Sequence, residues 1–121
     1  MKTILIVDDS ISIRQVVGMT LKGQGFDVIE AVDGVDALKK LTGQKVHLII
    51  SDVNMPNMDG ITLLKEIKQI PAYRFTPVVM LTTEGAEEKK EQGRAAGAKA
   101  WITKPFRPEQ MLAAVNKLIL P

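Results

Sequence analysis

Five short apolar, strand-like runs alternate along this chain with segments that carry the periodicity of amphipathic helices. The runs cover residues 4–7, 26–30, 46–52, 78–82 and 100–103. Strands that alternate with helices pair in parallel and are covered by helices on both faces. The order therefore predicts an α/β fold, a doubly wound parallel sheet of five strands with five helices.

Start and stop signals place the helices between these runs. Small polar residues, glycines and prolines stand where helices should begin or end. They are Ser10 or Ser12, Gly23, Asp33, Gly43, Gly60, Pro71, Gly97 and Pro108. The fourth predicted helix, residues 86–96, is unusually polar.

Length and composition limit the classes of protein to which this chain can belong. At 121 residues it is long enough for one domain with a buried core. The lack of cysteine excludes disulfides and thiolate metal ligands. The sequence shows neither a signal segment nor a membrane-spanning run, which predicts a cytoplasmic protein. The net charge of +2 comes from scattered Lys and Arg, so nucleic-acid binding is not supported.

Reactive side chains stand where four of the predicted strands end. Asp8 and Asp9 follow the first strand, Asp52 ends the third, Thr82 ends the fourth and Lys104 follows the fifth. Because the carboxyl ends of parallel strands share one edge of a sheet, we expect these side chains to converge. Three carboxylates that close together repel by about 4 kcal/mol per pair at an effective dielectric near 20, so the cluster needs a cation. Oxygen ligands without His or Cys favour a hard ion, Mg2+ in particular.

The same groups supply the parts of a phosphoryl-transfer site. The metal and the Lys104 ammonium can neutralise phosphoryl oxygens while the Asp52 carboxylate attacks in line, which gives an aspartyl phosphate. A simpler interpretation is that Asp8 and Asp9 only favour a helix N-terminus and that Asp52 is a turn residue. This interpretation requires both simple roles to be correct and Lys104 and Thr82 to stand at strand ends by chance. We therefore prefer the phosphoryl-transfer site.

The strand-end residues resemble, in order, the motifs of a known family, the receiver domain of two-component response regulators. The matching residues are Asp8-Asp9, Asp52 with Asn54-Met55-Pro56, Thr82 and Lys104-Pro105-Phe106. The resemblance covers the whole chain, whose length is similar to that of single-domain, CheY-type chemotaxis regulators. It implies a flavodoxin-like sheet of order 2-1-3-4-5, a cis peptide bond before Pro105, and one receiver domain over residues 1–121 without an effector domain.

The resemblance implies a role for each residue around the metal. Asp52 is similar to the phospho-acceptor, and Lys104 to the lysine that pairs with the phosphoryl group. Asp9, Asp52 and the main-chain carbonyl of Asn54 are the implied Mg2+ ligands. Asp8 would hold a metal-bound water or help to place the ion.

The resemblance also implies a switch. Thr82 matches the hydroxyl that moves toward the phosphoryl group, and Trp101 stands where the family more often has Tyr or Phe. Asn54 and Glu84 fall at positions that tune the loss of the phosphate. The implied phosphodonor is a histidine kinase, and the implied output face is the fourth helix, the fifth strand and the last helix of a monomer. Such a protein accepts phosphate and loses it slowly, but it does not turn over an external substrate.

Two other classes of protein remain open. A phosphatase of the haloacid-dehalogenase type also uses a strand-end aspartate and Mg2+, but it carries a second aspartate two residues later, where this chain has Asn54. A phosphate sink or pseudo-receiver would share the fold and act as an acceptor or binding module only. Outside the site, we expect His47 to be a surface or structural residue rather than a phosphotransfer residue. We expect the charged fourth helix to be either a solvated face or a partner surface.

Overall fold

The computed structural model describes residues 2–83 and 87–120, over which strands and helices alternate. The strands are β1 (Thr3–Val7), β2 (Asp27–Ala31), β3 (Leu48–Asp52), β4 (Val78–Thr83) and β5 (Ala100–Lys104). The helices are α1 (Ile11–Gly23), α2 (Gly34–Lys40), α3 (Gly60–Lys68), α4 (Glu87–Ala96) and α5 (Pro108–Leu118). The predicted alternation is confirmed. The predicted start of the fourth helix, at Ala86, lies outside the described residues.

The five strands form one parallel sheet in the order β2-β1-β3-β4-β5, which confirms the order that the resemblance implied. The register pairs Val7 with Ser51, Asp52 with Leu81, and Thr83 with Lys104. Because all strands point the same way, their carboxyl ends lie along one edge. The reactive side chains named above are therefore brought to the same end of the sheet.

Two apolar cores lie on opposite faces of the sheet, because successive side chains of a strand point to opposite sides. Leu5 and Ile49 belong to the core beneath α2 and α3. Ile4 and Ile50 belong to the core beneath α1 and α5. Burial on both faces explains why these runs are continuously apolar. None of the described helices combines the length and apolar character needed to cross a membrane.

Side-chain caps start three helices at the edge where the strands end. Ser10 accepts a hydrogen bond from the amide of Ile13 at 3.3 Å, and Asp33 caps α2 in the same way. Asp59, which the sequence interpretation missed, accepts from the amide of Thr62 at 2.8 Å. The positive ends of these helix dipoles therefore lie at the end of the molecule that carries the acidic side chains.

Candidate functional site

Three aspartates at the ends of β1 and β3 meet at the carboxyl end of the sheet. Carboxylate oxygens of Asp8, Asp9 and Asp52 all lie within 4.8 Å of one another. Asp8 and Asp52 are buried, whereas Asp9 is exposed. The cluster thus has two carboxylates fixed in the protein and a third that faces solvent, from which an ion can enter.

Lys104 brings one positive charge into this cluster from the end of β5. Its ammonium lies 3.0 Å from Asp8 Oδ2 and 3.1 Å from Asp52 Oδ1, and the peptide bond to Pro105 is cis, as the resemblance implied. Three carboxylates and one ammonium leave two net negative charges. The donor set is made of oxygen atoms, and its charge matches a divalent hard cation, so these residues fit Mg2+.

Asp8 is held by neighbours on both sides. Its Oδ1 accepts from the amide of Ser10 at 2.9 Å and its Oδ2 accepts from Lys104, so both carboxylate oxygens are already engaged. Arg14 donates to the main-chain oxygen of Asp8 at 2.6 Å and pairs with Glu30 at 3.3 Å. Asp8 is therefore suited to position the site. Sequence reasoning missed Arg14, because its contact depends on how α1 is rotated against β1 and β2.

Asp52 keeps one oxygen available for chemistry. Its Oδ1 accepts from the amide of Val53 at 2.9 Å and contacts Lys104. Over residues 2–83 and 87–120, no hydrogen bond to Asp52 Oδ2 is formed. Burial raises the pKa of Asp52 above its ordinary value, the charge of Asp8 adds to this, and Lys104 opposes both. The carboxylate that a metal or a phosphorus would meet is thus desolvated and crowded.

The pKa of Lys104 is raised as well, but here the shift favours the charged form of the side chain. Burial disfavours its ammonium, but the hydrogen bonds to Asp8 and Asp52 and the charges of both carboxylates together outweigh burial and raise the pKa of Lys104. The lysine therefore stays charged at neutral pH and provides a fixed cation at the site.

Gly60 sets how closely α3 approaches the site. Its amide donates to the main-chain oxygen of Val53 at 2.8 Å, and a Cβ at this position would lie 2.0 Å from the main-chain oxygen of Asp52. No side chain fits there without displacing the strand end. The sequence interpretation read Gly60 only as the start of a helix. The signal that could have exposed the close approach is a glycine directly after the Asp59 cap.

The two proposed switch residues lie on neighbouring strands, β4 and β5. Thr82 is buried, and its hydroxyl donates to the main-chain oxygen of Thr83 at 3.3 Å. Trp101 pairs in register with Met80 and is half-buried. Its indole Nε1 is buried and finds no acceptor among the described residues.

The remaining residues singled out from the sequence lie in different surroundings. Asn54 is exposed two residues beyond Asp52. Glu84 lies outside the described residues. His47 precedes the amino end of β3, the strand that carries Asp52 at its other end. Its Nδ1 accepts from the amide of Thr3 at 3.0 Å. This contact is consistent with a structural role for His47.

A known protein family has this fold and an acidic cluster at the same strand ends. The profile of the response regulator receiver domain matches residues 4–116. The chain belongs to the response regulator receiver domain family, a family of two-component signalling. Receiver domains bind Mg2+ at an acidic site, and this chain has the cluster of three aspartates described above.

Two relatives match nearly all of this chain. Protein PilG of Pseudomonas aeruginosa is 38% identical over 113 residues, which cover 93% of this chain and 84% of PilG. The alkaline phosphatase synthesis transcriptional regulatory protein PhoP of Bacillus subtilis is 40% identical over 98% of this chain, but the match spans only 48% of PhoP.

Two solved structures superpose closely on this chain. The chemotaxis protein CheY4 of Vibrio cholerae is 47% identical, with a TM-score of 0.92 and 98% of both chains covered. The receiver domain of the sensor histidine kinase PA1611 of Pseudomonas aeruginosa is 25% identical, with a TM-score of 0.89 over 97% of this chain and 96% of that one. In that structure a magnesium ion is coordinated in the active site cleft.

Proposed function

We propose that this chain is a phospho-accepting response regulator that takes a phosphoryl group from a histidine kinase onto Asp52, with Mg2+ bound beside it. The observation that carries the proposal is the meeting of Asp8, Asp9 and Asp52 within 4.8 Å, with Lys104 at 3.0 and 3.1 Å from two of them. Two net negative charges remain, which a divalent cation would balance.

Each residue would have its own part in the reaction. Asp9, Asp52 and the main-chain carbonyl of Asn54 would hold Mg2+, and Asp8 would place the ion through a bound water. The metal, when bound, supplies positive charge to the phosphoryl oxygens. The Asp52 carboxylate attacks phosphorus in line, so that a P–O bond forms as the P–N bond of the donor phosphohistidine breaks, and the donor imidazole keeps the electron pair. Lys104 stabilises the charge on the group in transfer.

Phosphorylation would then be reported by Thr82 and Trp101. The Thr82 hydroxyl now donates to a main-chain oxygen, and a phosphoryl oxygen offers it a charged acceptor. The space that it leaves would be taken by Trp101. The adjacent α4 has few apolar side chains to anchor it, and Gly93 is its buried residue. A target that prefers the phosphorylated arrangement would shift the population toward it. Asn54 and Glu84 would tune how fast the phosphate is lost.

The target protein would bind on α4, β5 and α5. A groove of about 180 Å³ lies between α4 and β5, and its lining residues include Lys90, Arg94, Lys99 and Trp101. Its position supports the output face, because the groove contains the switch residue. We infer a chemotaxis role, supported by the 47% identity to CheY4 over 98% of both chains. We further propose that the chain acts in the cytoplasm as a monomer and turns over no external substrate.

Acetyl phosphate tests the phosphorylation directly. With Mg2+, the wild type should gain the mass of one phosphoryl group in a hydroxylamine-labile form, and Asp52→Asn should gain none. Asp27→Asn, which removes an exposed aspartate at the start of β2, is the matched control and should be labelled like the wild type. Absence of an adduct would support a pseudo-receiver. Multiple turnover of phosphomonoesters would support a phosphatase.

A second experiment tests the switch. Beryllofluoride-loaded and untreated protein are compared in a pull-down. The loaded wild type should capture a target protein. The loaded Lys90→Ser and Arg94→Ser variants should not capture it, whereas the loaded Lys22→Ser variant, changed on α1, should. Identical capture by both forms would argue against signalling through this face.

A further inference from the structure

A second groove lies at the opposite end of the sheet from Asp52. It opens between the loop before β3 and the loop before β4, and its volume is about 320 Å³. Residues 43–46, 71–73, 75 and 76 form most of its walls, and Leu120, after α5, also lines it. We call it the amino-end groove. The groove and the acidic cluster lie at opposite ends of the strands. The groove therefore plays no part in the phosphorylation described above.

The walls of the amino-end groove are joined to each other through Tyr73. This side chain is buried at 3% exposure, and its hydroxyl donates to the main-chain oxygen of Gln44 at 2.8 Å. The same hydroxyl accepts from the amide of Gly43 at 3.0 Å. The Tyr73 hydroxyl therefore holds the loop before β4 against the loop before β3. The groove is formed without a partner.

Phe75 stands at the rim of this groove and is 82% exposed, more than any other large apolar side chain of the described residues. The main chain on either side of it is fixed, because the ammonium of Lys68 holds the carbonyls of Arg74 and Thr76 at 3.0 Å each. An aromatic ring presented to water by a fixed loop loses little conformational freedom on binding. It has the properties of an interface anchor.

The amino end of the sheet is also basic. Four cationic side chains precede strands there, namely Lys2, Lys45, Arg74 and Lys99. Further lysines in the last turns of helices at this end have a structural explanation, because they complement the helix dipoles. The four that precede strands lack that explanation. Over the described residues, the acidic side chains placed nearest to this end by the topology are Asp27 and Glu66.

We propose that the amino-end groove binds an acidic protein segment that packs one apolar side chain against Phe75. Charge complementarity selects the segment, since Lys45 lines the groove and Arg74 flanks the aromatic anchor. This site goes beyond the proposed phosphorylation and does not depend on it. Its occupation would leave Asp52 open to a phosphodonor at the far end of the sheet.

Nuclear magnetic resonance of the 15N-labelled full chain tests the site. The probe is an acetylated peptide of alternating glutamate and leucine. Its addition should shift the amides of residues 43–46 and 73–76. Phe75→Ser should weaken binding about tenfold, and Lys45→Glu should weaken it about threefold with a smaller dependence on salt. Met19→Ser, which removes another exposed apolar side chain, should leave the affinity unchanged.

Four results would overturn the proposal. They are a lack of shifts in the two loops, equal binding of a lysine–leucine peptide, self-association that Phe75→Ser abolishes, and Phe75-dependent binding to phosphatidylglycerol vesicles in preference to the peptide. The last two would assign the groove to a second copy of the chain or to a membrane surface. Labelling of Phe75→Ser by acetyl phosphate should match the wild type, which separates this test from that of the proposed phosphorylation.

Discussion

At the scale of single residues, Lys104 contacts two buried carboxylates and compensates part of their negative charge. It contacts Asp8 at 3.0 Å and Asp52 at 3.1 Å. Lys104→Gln leaves both carboxylates without their cation, so the free energy of unfolding should fall by about 3 kcal/mol in metal-free buffer. Urea unfolding with and without Mg2+ measures this, and Mg2+ should restore part of the loss.

The matched control for that prediction is Lys117→Gln in the last turn of α5, where the lysine is exposed. Its effect should stay within about 0.5 kcal/mol. Equal effects of the two substitutions would show that Lys104 does not compensate a buried charge.

His47 gives a pH dependence whose sign follows from the burial of its ring. Its Nδ1 accepts from the amide of Thr3, so the ring is neutral, and burial with the charges of Lys45 and Lys2 lowers its pKa from 6.5. The unfolded chain then binds the proton first. The stability contributed by His47 is complete above the unfolded pKa and is lost as the pH falls through the lower folded pKa.

Urea unfolding from roughly pH 7 to pH 5 checks this dependence. His47→Asn keeps an acceptor but does not titrate, so its stability should decline less than that of the wild type over this range. Parallel curves for the two proteins would contradict the assignment.

Which residues gather at the site could be predicted from the sequence, but how they are held there could not. Asp52 ends an apolar run, and strand ends of a parallel sheet meet, so its place beside Asp8 follows from order alone. The bond from Arg14 to the main chain of Asp8 depends on the rotation of a helix. Such rotations are fixed by core packing, which no local pattern records.

At the scale of elements, Gly93 and Trp101 determine how α4 lies on the sheet. A Cβ at Gly93 would stand 2.1 Å from Cζ3 and 2.9 Å from Cη2 of the indole. Alanine is the better helix former by up to about 1 kcal/mol, but overpacking costs about 1–3 kcal/mol. Gly93→Ala should therefore lower the free energy of unfolding and change the tryptophan fluorescence.

A double-mutant cycle separates packing from helix propensity. Phenylalanine lacks the two indole atoms in question, so Gly93→Ala should be neutral or stabilising when combined with Trp101→Phe. Gly23→Ala in α1 is the control, because a Cβ there meets nothing within 4 Å, and it should stabilise the protein. Additive effects of Gly93→Ala and Trp101→Phe would show that the two residues do not share space.

The elements themselves were the most predictable level of the structure. Apolar periodicity located the strands and helices, and the capping roles of Ser10 and Asp33 followed from residue type. The role of Gly93 was harder to predict, since the sequence indicates only that a glycine weakens a polar helix. Its packing against Trp101 comes from a contact between two different elements and carries no local signal.

At the scale of the whole molecule, Mg2+ would tie β1 to β3 and should stabilise the fold. The gain is about 2.7 kcal/mol at a Mg2+ concentration of one hundred times Kd. Burial and the charge of Asp8 raise the pKa of Asp52, and the metal needs the ionised form. The gain should therefore shrink as the pH falls through that raised pKa, because protons compete with Mg2+.

Thermal unfolding across a Mg2+ series at several pH values measures this linkage. Asp9→Asn should lose most of the gain, and Asp27→Asn should keep it. A Mg2+ effect that is independent of Asp9, or that grows as the pH falls, would contradict the assignment of the metal ligands.

The central claim is that residues far apart in the sequence form one magnesium site around Asp52. A crystal structure of the chain with Mg2+ and beryllofluoride tests it most directly. The account predicts beryllium bonded to an oxygen of Asp52, Mg2+ beside it on Asp9 and the main-chain oxygen of Asn54, and Lys104 and Thr82 against the fluorines. Beryllofluoride bound elsewhere, or Mg2+ held away from Asp9 and Asp52, would contradict it.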